Sequence, residues 1–321
     1  AMIQITPTFG RILEDWLASL GLAADREPTV RRTSPDSVPL AQWTEQVRSA
    51  AALAPGPARG LDIGARVQLA HTGPLGYLVV NSRTLGELLE TYLLLEKWFY
   101  GQNWASWSAS ETTFEIAWDQ SKGLPDRLIE QLHAMAFLTV VRESCPTAGN
   151  PLTVDVMNDE SGERFAYERA FGCPVRFGQP ALRLVFPVAA LHAPVDIRDG
   201  SMGAVSRNCR RTLREAYPGA TQFVRTVQET IMHYLPMGAP VDSVAAALNL
   251  SRRTLQRRLG HAGCTYRQLL NGIRERHAAC LLADQQINLK DVAFLLGYSE
   301  QSAFNHAYRR WTGTSPRGER R

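Results

Sequence analysis

The stretch "LSRRTLQRRLGHAG", residues 250–263, carries four arginines and no acidic residue. On a helix with 100° per residue, Leu255 and Leu259 fall on one side, where they can anchor the helix to a core. The opposite side and its shoulder carry Arg253, Gln256 and Arg257. Guanidinium and amide groups bind phosphates and the edges of bases, so this face could recognise a nucleic acid. For an isolated helix, a solvated basic face is the simpler interpretation, and the surrounding sequence has to decide.

The pattern around this helix occurs twice. "DSVAAALNLS" at 242–251 and "KDVAFLLGYS" at 290–299 share Val, Ala, Leu and Ser at equivalent positions, displaced by 48 residues as from Val244 to Val292. Each copy predicts a short helix and then a tight turn at Asn249 or Gly297, residue types that readily take a positive φ. A second helix then begins at a serine, Ser251 or Ser299. This is the helix-turn-helix pattern, in which the second helix enters the major groove.

After the turn the alignment slips by one residue, so that Phe304 and Tyr308 take the places of Leu255 and Leu259. With this pair packed inward, the second copy exposes Ser302, His306 and Arg309, flanked by Gln301 and Asn305. Between the copies, Thr265 and Gln268 form a capping box at the start of a long amphipathic helix. One helix of this length can hold two reading units at the separation of successive major grooves.

The charge is divided unequally along the 321 residues. Residues 1–206 contain 17 Lys+Arg and 23 Asp+Glu, a net charge of −6, whereas residues 207–321 contain 18 and 8, a net charge of +10. A basic final third joined to an acidic body predicts a module for a polyanion attached to a second domain. The five cysteines form no CxxC pair, which argues against a zinc site or a disulfide framework. The sequence shows no signal peptide and no apolar run long enough to cross a bilayer, so we expect a cytoplasmic protein.

The first two hundred residues predict an α+β domain. Helical patterns occur at 9–22, 40–53, 84–100 and 125–145, and strand patterns at 112–119, 152–157, 174–178 and 181–187, which together predict helices with an antiparallel sheet. The sequence contains no GxSxG, P-loop, GxGxxG or HExxH motif. His71, His133 and His192 are isolated in the sequence and are interpreted as surface or core residues. Six aromatic residues form either ordinary core or the wall of an effector pocket: Tyr92, Trp98, Phe99, Tyr100, Trp104 and Trp107.

Residues 222–320 resemble the double helix-turn-helix domain of the AraC/XylS family of bacterial transcription regulators, through "VAAALNLSRRTLQRRL", "VAFLLGYSEQSAFNHAYRRWTG" and "TSP". The resemblance implies an all-α domain that reads bases through Arg253, Gln256, Arg257, Gln301, Ser302, Asn305 and His306. It assigns Arg252, Arg258, Arg309 and Arg310 to phosphates or the rim. Two features depart from the family pattern. His306 replaces an arginine found in many members, and "SPRGER" lacks the usual aromatic residue before Arg320.

The N-terminal part is similar to the arabinose-binding-like effector domain of an AraC/XylS subgroup, through "GPLGYLVVNSRTLGELL", "YERAFGCPVRFG" and "LRLVFPVAALHAPV". We therefore expect an effector domain at 1–205, a linker at 206–220 and the DNA-binding domain at 221–321. The expected protein is a transcription regulator, an activator in the leading interpretation, that binds double-stranded promoter DNA and responds to a small-molecule effector. RNA polymerase and a second copy of the chain are further expected partners, and no cofactor, metal or membrane is expected.

Two other interpretations stay open on the sequence. One is an enzyme with a DNA-binding tail, similar to alkyl-transfer repair proteins, with Cys145 or Cys173 as the candidate nucleophile because each precedes a proline. The other is an architectural DNA-binding protein that takes no ligand.

Overall fold

The structure is a computed structural model that describes residues 4–5, 11–22, 38–72, 76, 79, 82–100, 104–118, 126–196, 220–283 and 287–319. Within these ranges, the side chains of 4–5, 38–40, 70 and 94–100 are not described. The chain divides into two compact units, Ala1–Ile197 and Arg198–Arg321. Apart from Ala220, the predicted linker at 206–220 lies outside the described residues. No described helix is both long and apolar enough to cross a membrane.

The N-terminal unit combines helices and strands, as predicted. Its helices are α1 (Arg11–Ser19), α2 (Leu40–Leu53), α3 (Arg59–Gly64), α4 (Leu85–Tyr100), α5 (Arg127–Ser144) and α6 (Arg164–Phe171). Its strands are β1 (Gln4–Ile5), β2 (Val38–Pro39), β3 (Ala105–Ala109), β4 (Thr113–Trp118), β5 (Thr153–Asp155), β6 (Val175–Arg176) and β7 (Leu182–Pro187). The four predicted helices and the four predicted strands are all present.

Strands β3 to β7 form one sheet in the order β3-β4-β7-β5-β6, while β1 pairs with β2. Along β4 and β7, buried residues alternate with half-buried ones, and Phe114 stacks on its cross-strand partner Phe186 at 5.1 Å between ring centroids. One face of the sheet therefore belongs to the core. The prediction of an antiparallel sheet is wrong for one pair of strands, because β5 and β6 run parallel. A parallel pair needs a crossover connection, which α6 supplies.

Helices α3 and α5 cross at glycine positions. A Cβ atom on Gly60 would lie 2.2 Å from the carbonyl oxygen of Leu128, and one on Gly64 would lie 2.7 Å from that of Leu132. The Gly60 N–H donates to Gln131 Oε1 at 3.1 Å, and Thr139 Oγ1 donates to the Gly64 carbonyl at 3.1 Å. The two glycines thus allow a close approach of backbones that any larger side chain would prevent.

The C-terminal unit is helical throughout its described residues, as predicted. Its helices are α7 (Gln222–Tyr234), α8 (Val241–Ala247), α9 (Arg252–His261), α10 (Tyr266–Ala283), α11 (Leu289–Leu295), α12 (Gln301–Thr312) and α13 (Pro316–Glu319). Helices α8 and α9 form the first helix-turn-helix unit, and α11 and α12 form the second. The predicted capping box begins α10: the Thr265 N–H donates to Gln268 Oε1 at 2.9 Å, and the Gln268 N–H donates to Thr265 Oγ1 at 3.2 Å.

The two turns share an equivalent backbone hydrogen bond. Leu250 N–H donates to the Ala245 carbonyl at 2.9 Å, and Tyr298 N–H, 48 residues later, donates to the Ala293 carbonyl at 3.0 Å. Asn249 has φ 53° and Gly297 has φ 75°, which confirms the positive φ predicted at both positions. One detail was wrong. Ser251 is the N-cap of α9, but the N-cap of α12 is Glu300 rather than Ser299, because the second turn is one residue longer.

Candidate nucleic-acid interface

Helix α9 presents a basic face to solvent because two leucines hold its other side in the core. Ser251 Oγ accepts the Thr254 N–H at 3.2 Å and fixes the start of the helix, while Leu255 and Leu259 are 0% exposed. The predicted base-reading residues Arg253, Gln256 and Arg257 are exposed, as are Arg252 and Arg258. This arrangement leaves guanidinium and amide groups free to meet a partner.

Two arginines of α9 have contacts within the protein. Arg252 Nη1 lies 3.5 Å from Asp242 Oδ2, across the first turn, in an exposed ion pair. The guanidinium carbon of Arg258 lies 5.4 Å from the ring centroid of Phe223 in α7, a cation–π distance. Both side chains lean toward neighbouring helices, which fits a supporting role at the rim better than insertion into a groove.

Helix α12 is built in the same way with aromatic anchors. Phe304 is 0% and Tyr308 2% exposed, and their ring centroids are 5.7 Å apart. The structure exposes Ser302, His306, Arg309 and Arg310, and leaves Gln301 and Asn305 half-buried. Asn305 Oδ1 is buried with no hydrogen-bond partner among the described residues, so the fold does not use this amide oxygen.

The two helices align position by position when α9 is shifted by 49 residues onto α12, as their first residues Arg252 and Gln301 show. Under this shift Arg253, Gln256 and Arg257 correspond to Ser302, Asn305 and His306. The second unit therefore offers a hydroxyl, an amide and an imidazole where the first offers two guanidinium groups and an amide. Ser302 Oγ also donates to Glu300 Oε2 at 3.2 Å, which places a carboxylate at the start of α12.

The two candidate nucleophilic cysteines lack the surroundings that activate a thiol. Cys145 is 1% exposed, and burial raises its pKa to about 12. Burial also raises the pKa of Cys173 to about 11, although the charge of Arg142 acts in the opposite direction. Since a reactive cysteine needs a lowered pKa, neither thiol is poised for nucleophilic attack, and the enzyme interpretation loses its candidate residues.

An aromatic cluster in the N-terminal unit contains one of the residues predicted for an effector pocket. Trp118 Nε1 lies 3.4 Å from the hydroxyl of Tyr92, and the Trp118 ring packs edge-on against His133 and Phe137 at 5.0 and 5.1 Å between centroids. Burial lowers the pKa of His133 to about 4, and its Nε2 is buried without a hydrogen-bond partner among the described residues. We call Tyr92, Trp118, His133 and Phe137 the aromatic cluster.

The other predicted pocket residues are only partly described. Trp104 is buried just before β3, and Trp107 is half-buried within β3. The side chains of Trp98, Phe99 and Tyr100 lie outside the described residues. Trp118, His133 and Phe137 were not among the predicted pocket residues, because they lie far from Tyr92 in the sequence. Only the pairing of β4 with the sheet and the packing of α5 bring them together.

His71 and His192 fit the structural interpretation made from the sequence. The His71 side chain is 5% exposed; its Nδ1 accepts the Gln68 N–H at 3.0 Å, and its Nε2 lies 2.8 Å from Asp15 Oδ2. His192 is exposed.

Comparison with known proteins gives matches over both units. The family described as "Arabinose-binding domain of AraC transcription regulator, N-term" matches residues 10–195, and the family "Helix-turn-helix domain" matches residues 244–321. The chain is 27% identical over 303 residues to the ornithine utilization regulator of Pseudomonas aeruginosa, covering 92% of this chain and 87% of that relative. It is 35% identical over 158 residues to the HTH-type transcriptional regulator VirS of Mycobacterium tuberculosis, covering 49% of this chain and 46% of the relative.

Among solved structures, the transcriptional regulator CdpR of Pseudomonas aeruginosa aligns over 98% of both chains, with 24% sequence identity and a TM-score of 0.46. The N-terminal family match alone spans more than half of the chain, and the helix-turn-helix match runs from within α8 through the second helix-turn-helix unit. This chain belongs to the AraC family of DNA-binding transcription regulators, with an arabinose-binding-like N-terminal domain and a helix-turn-helix C-terminal domain.

Proposed function

We propose that this regulator reads two half-sites in promoter DNA, the first through α9 and the second through α12. The observation that carries this proposal is the matched pair of exposed polar faces, each anchored by a fully buried apolar pair in one compact unit. Helix α10 connects the two units and has 18 residues, which at 1.5 Å per residue makes it about 27 Å long. This length is comparable to the roughly 34 Å helical repeat of DNA, so the two units suit neighbouring major grooves.

The exposed residues divide into two roles. We assign base reading to Arg253, Gln256, Arg257, Gln301, Ser302, Asn305 and His306, because arginine matches guanine and amide side chains match adenine in the major groove. Phosphate contact falls to Arg252, Arg258, Arg309 and Arg310. The contacts of Arg252 with Asp242 and of Arg258 with Phe223 support this division, since both hold the guanidinium at the edge of the face.

The test is a binding selection from random duplexes with the full chain, followed by the same selection with Arg257→Ala and Arg309→Ala. Arg257→Ala should weaken specific binding by about 1–3 kcal/mol and relax preference at one base pair. Arg309→Ala should lower affinity for all sequences and reduce the salt slope by about one unit. Arg317→Ala, exposed on α13, is the matched control. Unchanged base preferences in Arg257→Ala would show that α9 does not read the groove as proposed.

The N-terminal unit is proposed to bind a small-molecule effector. Binding would change the affinity for the promoter by linkage. The protein is proposed to act as an activator that contacts RNA polymerase. Support comes from the aromatic cluster, where His133 packs on the Trp118 ring and its buried Nε2 has no hydrogen-bond partner among the described residues. Trp118 in turn contacts Phe137 and Tyr92. Trp98, Phe99, Trp104 and Trp107 remain proposed members of the pocket wall. Thermal unfolding with a metabolite panel tests this, because a ligand of the folded state raises the melting temperature. Ornithine belongs in the panel because of the relative's name.

A homodimer is also proposed, with β3 as its contact. This strand lies at the edge of the sheet, and its sequence "ASWSA" has no charge or proline of the kind that blocks edge pairing. Sedimentation of the full chain tests this: Trp107→Pro should shift a dimer to a monomer, and a monomeric parent protein would contradict the proposal.

A further inference from the structure

The second helix-turn-helix unit contacts the turn that precedes the first unit. The first unit is preceded by an entry turn, residues 235–239, and the second unit contains the turn 296–298. A Cβ atom on Gly297 would lie 2.1 Å from the Leu235 carbonyl oxygen and 2.7 Å from the Gly238 Cα. The two turns therefore touch backbone to backbone, and Gly297 is required both by this contact and by its φ of 75°. Asn249 is the corresponding residue of the first unit, and it shares only the positive φ with Gly297.

Arg274 of α10 forms hydrogen bonds with both turns. Its Nε donates to the Leu296 carbonyl at 2.9 Å, and its Nη2 lies 3.3 Å from the Gly297 carbonyl oxygen and 3.4 Å from that of Gly238. The guanidinium carbon lies 4.7 Å from the ring centroid of Tyr298. One planar group on the connecting helix thus contacts both the entry turn and the turn of the second unit. We call these contacts the Arg274 junction.

The chemistry of the junction depends on the shape of arginine. Arg274 is half-buried, and burial lowers its pKa. Its hydrogen-bond partners are carbonyl oxygens, including that of Leu296 at the C-terminal end of α11, where the helix dipole favours a cation. Lysine keeps the charge but lacks the planar fork that reaches several acceptors and stacks on a ring. The entry turn has a second tie to α10, since the Tyr266 hydroxyl donates to the Ala239 carbonyl at 2.8 Å.

We propose that Arg274 is a positioning residue that fixes the second reading unit relative to the first, so that both units dock on DNA with one defined spacing. This inference rests on the proposed two-half-site function. Arg274 contacts the turn that precedes α12, and its effect on DNA binding acts through this turn. A protein whose units are locked together should discriminate against DNA with altered spacing, because one unit then has to leave its groove.

The experiment compares the full-length parent with Arg274→Lys, Tyr298→Leu and the control Arg267→Ala, an exposed arginine on the same helix. Three duplexes from the binding selection are used: one with the native spacing, one with a base pair inserted between the half-sites, and one with the second half-site scrambled. Circular dichroism melting accompanies each variant to measure its folding.

In the parent and in Arg267→Ala, the insertion should weaken binding about tenfold, equivalent to about 1.4 kcal/mol. Arg274→Lys should bind the native duplex about tenfold more weakly than the parent does. The insertion should weaken its binding by less than about threefold, since the two units are no longer held at one spacing. Its affinity for the duplex with only the first half-site should match that of the parent. Tyr298→Leu should relax the spacing requirement in the same direction.

Two results would overturn the proposal. One is an insertion penalty in Arg274→Lys and Tyr298→Leu equal to that of the parent. The other is an equal loss on all three duplexes, which would assign Arg274 to general stability instead of spacing. If the parent itself selects no two-part site, the proposed function fails first, and this outcome is distinct from both.

Discussion

His306 occupies the position in α12 that Arg257 occupies in α9, and both side chains are exposed. A guanidinium is always charged and can donate two parallel hydrogen bonds to guanine, whereas a neutral imidazole offers one donor and one acceptor. We therefore expect single residues to set the binding strength of each unit, although the helices that carry them are built alike. Their exposure was predictable from the spacing of Leu255 and Phe304, because it follows from local helical periodicity.

His306→Arg should tighten binding and steepen the dependence of affinity on salt, since a permanent charge near the phosphates displaces about one more counterion. The measurement is a salt titration of binding to the selected duplex. His192→Arg, also exposed but in the N-terminal unit, adds the same charge and serves as the control. Equal effects of the two substitutions would show that net charge, and not the position of residue 306, controls the binding.

His133 should make the N-terminal unit sensitive to acid. Its pKa is lowered by burial to about 4, below the ordinary value of 6.5, so the unfolded state binds the proton first as the pH falls. The stability that depends on the neutral ring is present above pH 6.5 and is lost as the pH falls toward 4. In total this loss amounts to about 3 kcal/mol at 1.36 kcal/mol per pKa unit.

Urea unfolding followed by tryptophan fluorescence measures this effect, because six of the seven tryptophans lie within residues 1–197. As the pH falls from 6.5 to 4, the free energy of unfolding of the parent should decrease more than that of His133→Phe. It should decrease by the same amount as that of His192→Phe. A difference from His133→Phe that stays constant over this range would contradict the proposed burial of a neutral imidazole.

Among the elements, α3 and β3 show where sequence patterns stop being informative. Helix α3 is six residues long and contains Gly60 and Gly64, which disfavour an isolated helix, so it depends on its contact with α5. Strand β3 has few β-branched residues and exists because β4 pairs with it. Both were absent from the predicted elements. The helix-turn-helix units were predictable because their turns, caps and apolar spacing are local.

The different surroundings of Gly60 and Gly260 predict opposite effects of the same substitution at these two glycines. Gly60→Ala should destabilise the N-terminal unit by about 3 kcal/mol or more, since its methyl group would meet the Leu128 carbonyl at 2.2 Å. Gly260→Ala in α9 should stabilise the C-terminal unit by about 0.5–1 kcal/mol, because no atom lies within 4 Å and alanine favours a helix. Fluorescence reports the first variant and circular dichroism the second. Destabilisation by Gly260→Ala, or a neutral Gly60→Ala, would contradict the packing described.

At the scale of the whole molecule, we propose that the two units divide regulation and recognition between them. The acidic N-terminal part carries the aromatic cluster, and the basic C-terminal part carries both reading helices. The charge division and the repeat predicted an acidic part and a basic part of the chain, and the predicted domain boundaries stay predictions. The aromatic cluster was not predicted, because Tyr92, Trp118, His133 and Phe137 come from α4, β4 and α5 and meet only in the folded unit.

We predict that α9 dominates specificity, whereas α12 adds affinity and tolerates more substitutions in its half-site. Charged bidentate donors discriminate bases more strongly than single neutral contacts, and α9 holds Arg253 and Arg257 where α12 holds Ser302 and His306. Competition binding with the full chain on duplexes mutated in one half-site at a time tests this most directly. We predict large losses from mutations in the α9 half-site and small ones in the α12 half-site, with Arg253→Ala removing the sensitivity of the α9 half-site alone. Equal sensitivity in both half-sites, or greater sensitivity in the α12 half-site, would contradict the predicted dominance of α9.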